Sequence, residues 1–318
     1  MTSATSATSA TSVTSVSSAT TDWIVQPDGS DRPSASPWRA ALRRLARDRS
    51  AMVGAAVLVL LAVLAVLATQ IAPYECRTQL NIIDLKNVPP SLAHPFGTDV
   101  YSRDVLSRII CGARVSLTIA VLSVLMAATV GTAYGAISGY VGGWLDALMM
   151  RVVDALLAIP RVLLLIVIAT LWDGVGLGGL ILLLGLTGWF GVSRLVRTLV
   201  LSAREDEFVT AARALGASNA RILAHHILPQ VISPVLVAAT LAVGNVIVIE
   251  AGLSYIGIGI RPPDPSWGSI FTDGASSYSS AWWVWLSSGV ALVVTVLAVN
   301  LVVDGMRRAL SGRASVVR

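Results

Sequence analysis

Apolar residues in this chain fall in long blocks, not at the alternating spacing of a half-buried strand. Six blocks stand out: residues 51–71, 115–138, 147–171, 179–201, about 231–260 and 283–303. A helix rising about 1.5 Å per residue needs about 20 residues to cross a hydrocarbon layer about 30 Å thick. Each block reaches that length, so the pattern predicts an all-α integral membrane protein with six transmembrane helices. An even number of crossings puts both ends of the chain on one side.

Charge sets the direction. Arg39, Arg43, Arg44, Arg47 and Arg49 precede the first block, and a basic cluster there marks a cytoplasmic N-terminus. With that end inside, the inner segments hold 16 Lys and Arg residues and the outer segments 6, which supports N-in, C-in. Trp172, Trp267, Trp282, Trp283 and Trp285 then gather on the outer side, as an interfacial aromatic belt would.

Composition agrees. Of 318 residues, 55% are apolar and only 13% charged, against roughly a quarter charged in an ordinary soluble domain. A soluble enzyme is therefore excluded. The only lysine, Lys86, follows leucine, so no phosphate-binding loop of the type G-x-x-x-x-G-K-[ST] is present. His225 and His226 are adjacent and cannot share a helix face as metal ligands. No nucleophile–base set or metal-ligand cluster emerges, which argues against a membrane-anchored enzyme. Cys76 and Cys111 both map to the outer side, where disulfides persist. Their spacing does not fix their distance, so a bond and two free thiols both fit the sequence.

Five regions follow. Residues 1–37 are expected to form a disordered Ser/Thr/Ala-rich cytoplasmic tail, without the basic start and apolar block of a signal peptide. Residues 38–71 hold a basic juxtamembrane segment and the first span. Residues 72–114 form an extracytoplasmic segment. Within it Val105, Leu106, Ile109 and Ile110 recur at helical spacing opposite Arg103, Asp104, Ser107 and Arg108, predicting a short interfacial helix. Residues 115–305 form the core of five further spans, with a cytoplasmic loop at 202–229. Residues 306–318 are expected to form a cytoplasmic tail.

The loop at 202–229 is the most informative stretch. Glu205, Asp206 and Glu207 favour a helix start through the macrodipole, and Gly216 supplies a left-handed stop. Ser218 can cap a second short helix over 219–226 before Pro229 begins the fifth span. The reading is a helix–turn–helix on the inner face, with Ala211, Ala212 and Ala214 small enough to admit another surface.

This loop resembles the signature loop of ABC-importer membrane subunits, which runs Glu-Ala-Ala, three residues, Gly, nine residues, then a hydrophobic-x-Leu-Pro ending. Here it reads Thr210-Ala211-Ala212, Gly216 and His226-Ile227-Leu228-Pro229, with Thr210 in place of the leading Glu. Further stretches resemble the dipeptide/oligopeptide permease "C" subunits. These are His94-Pro95-Phe96-Gly97-Thr98-Asp99 with Arg103-Asp104-Val105-Leu106-Ser107-Arg108, Gly139 to Asp146, Val153 to Pro160, Gly252 to Gly257, Pro262 to Gly268, and Asn300 to Gly305. That family usually carries Gly where this chain has Ser102.

The resemblance covers about residues 38–312 and implies the type I ABC-importer transmembrane fold in a bacterial cytoplasmic membrane. It implies a homologous permease subunit as heterodimeric partner, two cytoplasmic ATPase domains below, and an extracytoplasmic peptide-binding protein above. ATP and Mg would be bound by the ATPase partners, with no cofactor, metal or catalytic residue in this chain and no nucleic acid. Di- or oligopeptides would be the cargo, with nickel chelates or haem as alternatives within the same role. By the same resemblance Glu207, Ala211, Ala212, Arg213, Leu215 and Gly216 form the element that couples the ATPase to the spans. A secondary transporter is the competing class, but duplicated halves of the kind such folds carry are not found.

Charges inside spans are costly and normally face protein or water. Arg151 and Asp154 lie three apart and are expected to pair. Arg161 follows Pro160 at an expected kink, and Glu250 falls near the outer end of the fifth span. A peptide carries an amine and a carboxylate, so Arg161 and Glu250 are the candidates for lining a translocation path, against the plainer role of fixing helix packing.

Overall fold

The computed structural model describes residues 37–172, 175–260 and 262–311. The chain divides into residues 1–40 and residues 41–318; of the first unit only the opening residues of α1 (Pro37–Arg47) are described. The expected tail at 1–37 thus lies outside the described residues, apart from Pro37.

The described residues are helical apart from connecting loops and one isolated bridge between Thr98 and Asp104. After α1 come α2 (Arg49–Val66), α3 (Ala68–Ile71), α4 (Val105–Val141), α5 (Gly143–Leu157), α6 (Arg161–Leu171) and α7 (Leu177–Ala203). On the inner face lie α8 (Glu207–Ala214) and α9 (Asn219–Arg221). A π-helical stretch (Ile222–Ile227) leads into α10 (Leu228–Tyr255), followed by α11 (Trp267–Ala275) and α12 (Trp282–Ser311). Among the described residues, five helices are long and apolar enough to cross a membrane. The pair α5 and α6, bent by 80° at its break, makes a sixth if taken as one broken span.

The α4–α7 pair is the centre of the bundle. Gly131, Gly135 and Gly139 recur every turn on α4 and face α7. A Cβ at Gly135 would stand 2.3 Å from the carbonyl oxygen of Ser193, and one at Gly139 would stand 2.8 Å from that of Arg197. Small residues at this spacing let two backbones approach closely, which is how helices associate where lipid offers no hydrophobic drive.

Several expectations change in the folded chain. The amphipathic stretch 105–110 does not form a separate helix; it is the opening of α4, which starts at its N-cap Asp104 and continues to Val141. No proline separates the stretch from the span, and both of its sides are covered: Val105 is fully buried, and Arg103, Asp104, Ser107 and Arg108 on the polar side are buried too. The second helix of the inner loop likewise runs unbroken from Asn219 into the fifth span. Pro229 would clash with the carbonyl four residues back in a regular helix, and the wider π turns of Ile222–Ile227 sit directly before it. The last helix extends through Ser311, so residues 306–311 of the expected tail are helical; residues 312–318 lie outside the described residues.

The aromatic belt is only partly a belt. Trp172, Trp282 and Trp285 are exposed, but Trp267 is fully buried and Trp283 nearly so. Trp267 opens α11, an outer helix whose N-cap Ser266 forms a capping box with Ser269. Its indole donates to the Ile109 carbonyl and its backbone N–H to the Ser116 hydroxyl, which pins α11 against α4. The Trp283 indole donates to the Thr98 carbonyl. These rings take part in the core, where an indole N–H must find a partner.

Candidate functional site

The inner loop is built on α7 and α10. The chain leaves α7, turns at Ser202–Asp206, and α8 starts with Asp206 at its N-cap in extended conformation. Leu215 follows as C-cap, and Gly216 at φ +81 closes the turn. That angle disfavours any residue with a Cβ. Ser218 then caps α9 by accepting from the Arg221 N–H.

The hairpin presents two unlike faces. Its inner face is apolar: Val209, Ile222 and Ile227 are fully buried with Val196 and Val200 of α7 and Val231 and Val235 of α10. Ala212 is half-buried on the same cluster. Glu207, Ala211, Arg213, Leu215 and Gly216 are exposed, and Leu215 shows 88% of its surface. The six residues singled out from the sequence therefore lie together on one short element. Five face outward, and Ala212 faces the bundle.

Polar links tie the hairpin to the neighbouring spans. Tyr140, at the inner end of α4, donates its hydroxyl to the Asn219 side chain at 2.9 Å. Arg204 bonds Glu205 and reaches the Gly139 carbonyl. Nearby, Arg197 of α7 grips Asp146 of α5 with two bonds of 2.6 Å, and the Ser138 hydroxyl joins them. Asp154 pairs with Arg194 of α7, not with Arg151. The two candidates three apart on α5 were plausible by spacing, but the arginine across the interface holds the carboxylate. His226 stacks loosely on Phe208, ring centroids 6.5 Å apart. No group of three potential metal ligands occurs among the described residues.

The two intramembrane candidates lie apart from each other. Arg161 opens α6 directly after the Pro160 break, half-buried, and donates to the Leu184 carbonyl at 2.9 Å and to Thr187 at 3.3 Å. Glu250 is 1% exposed. One of its carboxyl oxygens accepts from Ser254 at 2.9 Å and from Ser266, the N-cap of α11, at 2.8 Å. It thereby links α10 to α11.

The outer segment carries a buried ionic cluster that residue-by-residue reading of the sequence did not identify. Asp99 accepts from the backbone N–H groups of Tyr101 and Arg103 and from both Arg103 (2.7 Å) and Arg108 (2.6 Å). The same two arginines reach Asp273 of α11 at 2.8 and 2.9 Å. Two cations and two anions balance, which is what allows them to be buried. His94 Nδ1 lies 2.9 Å from Asp104, also buried. Cys76 and Cys111 form a disulfide that fastens the segment to α4. The only hint of the ionic cluster in the sequence was the density of charge across 99–108.

At the inner ends of the first and last spans, Asp48 caps α2 and meets Arg308 of α12 at 2.7 Å. The Ser50 hydroxyl, then Arg308 and the Ala51 N–H, hold the Asp48 carboxyl down from 3.8 to about 2.

Residues 131–316 match the family described as "Binding-protein-dependent transport system inner membrane component". Residues 36–90 match the "N-terminal TM domain of oligopeptide transport permease C". Over 280 residues the chain is 38% identical to a dipeptide transport system permease protein of Alkalihalophilus pseudofirmus, covering 87% of this chain and 90% of that one. It is 37% identical to the dipeptide transport system permease protein of Bacillus subtilis, over 91% of this chain and 92% of that one. A glutathione transport system permease protein of Escherichia coli is 37% identical, over 90% of this chain and 93% of that one. Among solved structures, inward-facing MetNI methionine ABC transporter superposes with a TM-score of 0.51 at 20% identity, covering 67% of this chain and 98% of that chain.

Proposed function

Since the chain belongs to the family of binding-protein-dependent transport system inner-membrane components, we propose that it is the permease subunit of an ABC importer that carries di- and oligopeptides inward. The fold is that of the type I importers, in a multi-pass inner-membrane protein. Relatives named for dipeptides and for glutathione favour small peptides as cargo over nickel chelates or haem.

The observation that carries the mechanism is the two-faced hairpin at 207–227. Its outer face would receive a cytoplasmic ATPase domain, with Leu215, Ala211 and Arg213 at the contact. Its inner face is packed on α7 and α10, so displacement of α8 drives those spans through Val209, Ile222 and Ile227. Tyr140 extends the same link to α4. Coupling needs an element whose position differs between two global states, and a compact hairpin clamped to three spans meets that need. ATP and Mg are then handled by two partner ATPase domains, and a homologous permease subunit completes the path. An extracytoplasmic peptide-binding protein delivers cargo to the outer face.

Of the two path candidates, Arg161 at the α5–α6 break is the accessible one here and would meet a peptide carboxylate. Glu250 is closed off in this conformation and would join the path only if α11 moved away from α10. The test is uptake into vesicles holding this chain with its co-purifying partners. Dipeptide accumulation that requires internal ATP supports the reading. Uptake driven by a proton gradient without ATP would favour a secondary transporter, and ATP-dependent uptake of a nickel chelate or haem alone would change the cargo.

A further inference from the structure

A cavity of about 880 Å³ opens at the outer end of the bundle, between α3, the disulfide-linked segment, α4 and the start of α7. Four of its lining residues, Cys111, Arg114, Val115 and Thr118, occupy one face of α4 at helical spacing. Arg114 stands where the apolar run of α4 begins. Its guanidinium is exposed and has no hydrogen-bond or ion-pair partner among the described residues. The other cation of the cavity, Arg77, is already held by Asp264 at 2.6 Å. Glu75 also lines the cavity, taking only the Thr78 hydroxyl on one oxygen. The site therefore offers one unneutralised cation and one available anion at the edge of the hydrocarbon layer.

Its deeper wall has a different character. Ala68, Ala72, Val115 and Leu177 line it, and Thr118 lies a full turn inside the apolar run. Leu177 is about two-fifths exposed.

We infer that this cavity seats the headgroup of a zwitterionic phospholipid of the outer leaflet. The phosphate lies on the Arg114 guanidinium, the ammonium turns toward Glu75, and an acyl chain leaves over Ala72, Val115 and Leu177. Guanidinium and phosphate match in planar, two-point geometry. A peptide has the same two end charges. However, at the depth of Thr118 the wall offers its backbone amides a single hydroxyl among apolar side chains, and leaving amides unpaired there is unfavourable. An acyl chain carries no such groups.

The experiment is native mass spectrometry of the assembled transporter released from nanodiscs of mixed phosphatidylethanolamine and phosphatidylcholine. Wild type, R114Q and A72W are compared, the last filling the cavity while keeping the arginine. Wild type is expected to retain about one phospholipid more per complex than either variant. Equal lipid retention in wild type and A72W overturns the proposal, whether or not R114Q assembles. Displacement of the retained lipid by added dialanine overturns it in favour of a cargo site. Retention of inorganic phosphate without lipid overturns the lipid source.

Discussion

The Tyr140 hydroxyl of α4 donates to the Asn219 side chain at 2.9 Å, although 79 residues separate them in sequence. The bond ties the inner end of the central span to the start of α9. A single such bond contributes about 1 kcal/mol, so Tyr140→Phe is expected to leave folding and assembly intact. What it loosens is the link between the hairpin and α4. Dipeptide uptake per ATP hydrolysed should fall by up to about fivefold, the equivalent of about 1 kcal/mol, while ATPase association persists. Unchanged uptake stoichiometry would show that α4 moves independently of this bond.

Gly216 and Ala212 test the hairpin itself by two different routes. At φ +81, Gly216→Pro cannot adopt the native backbone, since proline fixes φ near −65°, so α8 loses its closing turn. Ala212→Trp instead forces a large ring into the contact between α8 and the cluster around Ile222. Both variants should insert in the membrane in normal amount yet abolish uptake. Measuring ATPase pull-down alongside uptake separates a lost contact from a lost transmission. Normal transport in both would remove the hairpin from the coupling role.

How much of this was legible in the sequence depends on the kind of signal. The hairpin was legible because its stops are local: acids before α8, Gly216 after it, and Ser218 as the next cap. The span positions were legible because lipid demands long apolar blocks. Trp267 was misplaced because an indole on a charge-poor stretch looks the same whether it faces lipid or protein; only the acceptor at Ile109 decides. Asp154 was assigned the nearer arginine on its own helix, since sequence spacing cannot show that Arg194 lies opposite across the α5–α7 contact. The Asp99–Arg108–Asp273 cluster joins residues about 170 apart and carries no periodic mark.

Ser102 is a departure from the resembling family whose consequence emerges only in three dimensions. Its backbone lies in the left-handed region, φ +59, its side chain is fully buried, and its hydroxyl has no partner among the described residues. A non-glycine residue there costs about 1–2 kcal/mol, and a buried unsatisfied hydroxyl adds about 1–3 kcal/mol. The greater freedom of glycine in the unfolded chain takes back about 0.5–1 kcal/mol. Ser102→Gly is therefore expected to stabilise the extracytoplasmic segment by about 1–4 kcal/mol. In thermal unfolding of the detergent-solubilised complex the midpoint should rise by about 2–4 °C for each kcal/mol gained. A lower midpoint would mean that the hydroxyl finds a partner in the assembled complex.

Asp48 gives a pH dependence with a definite sign. Its carboxyl is held down from 3.8 to about 2 by Ser50, by Arg308 and by the Ala51 N–H. A group whose folded value is depressed contributes stability that is complete above its unfolded value and disappears as the pH falls through the folded one. The contribution is thus full above 3.8, shrinks as the pH descends, and is gone near 2. Asp48→Asn removes the charge but keeps a capping side chain. It should therefore lower the unfolding midpoint at neutral pH by an amount that does not change down to about pH 4, then converge with wild type as the pH nears 2. If the gap between the two proteins persisted at pH 2, the cap would act through its shape and hydrogen-bonding geometry, not its charge, and the α2–α12 contact would not depend on this ion pair.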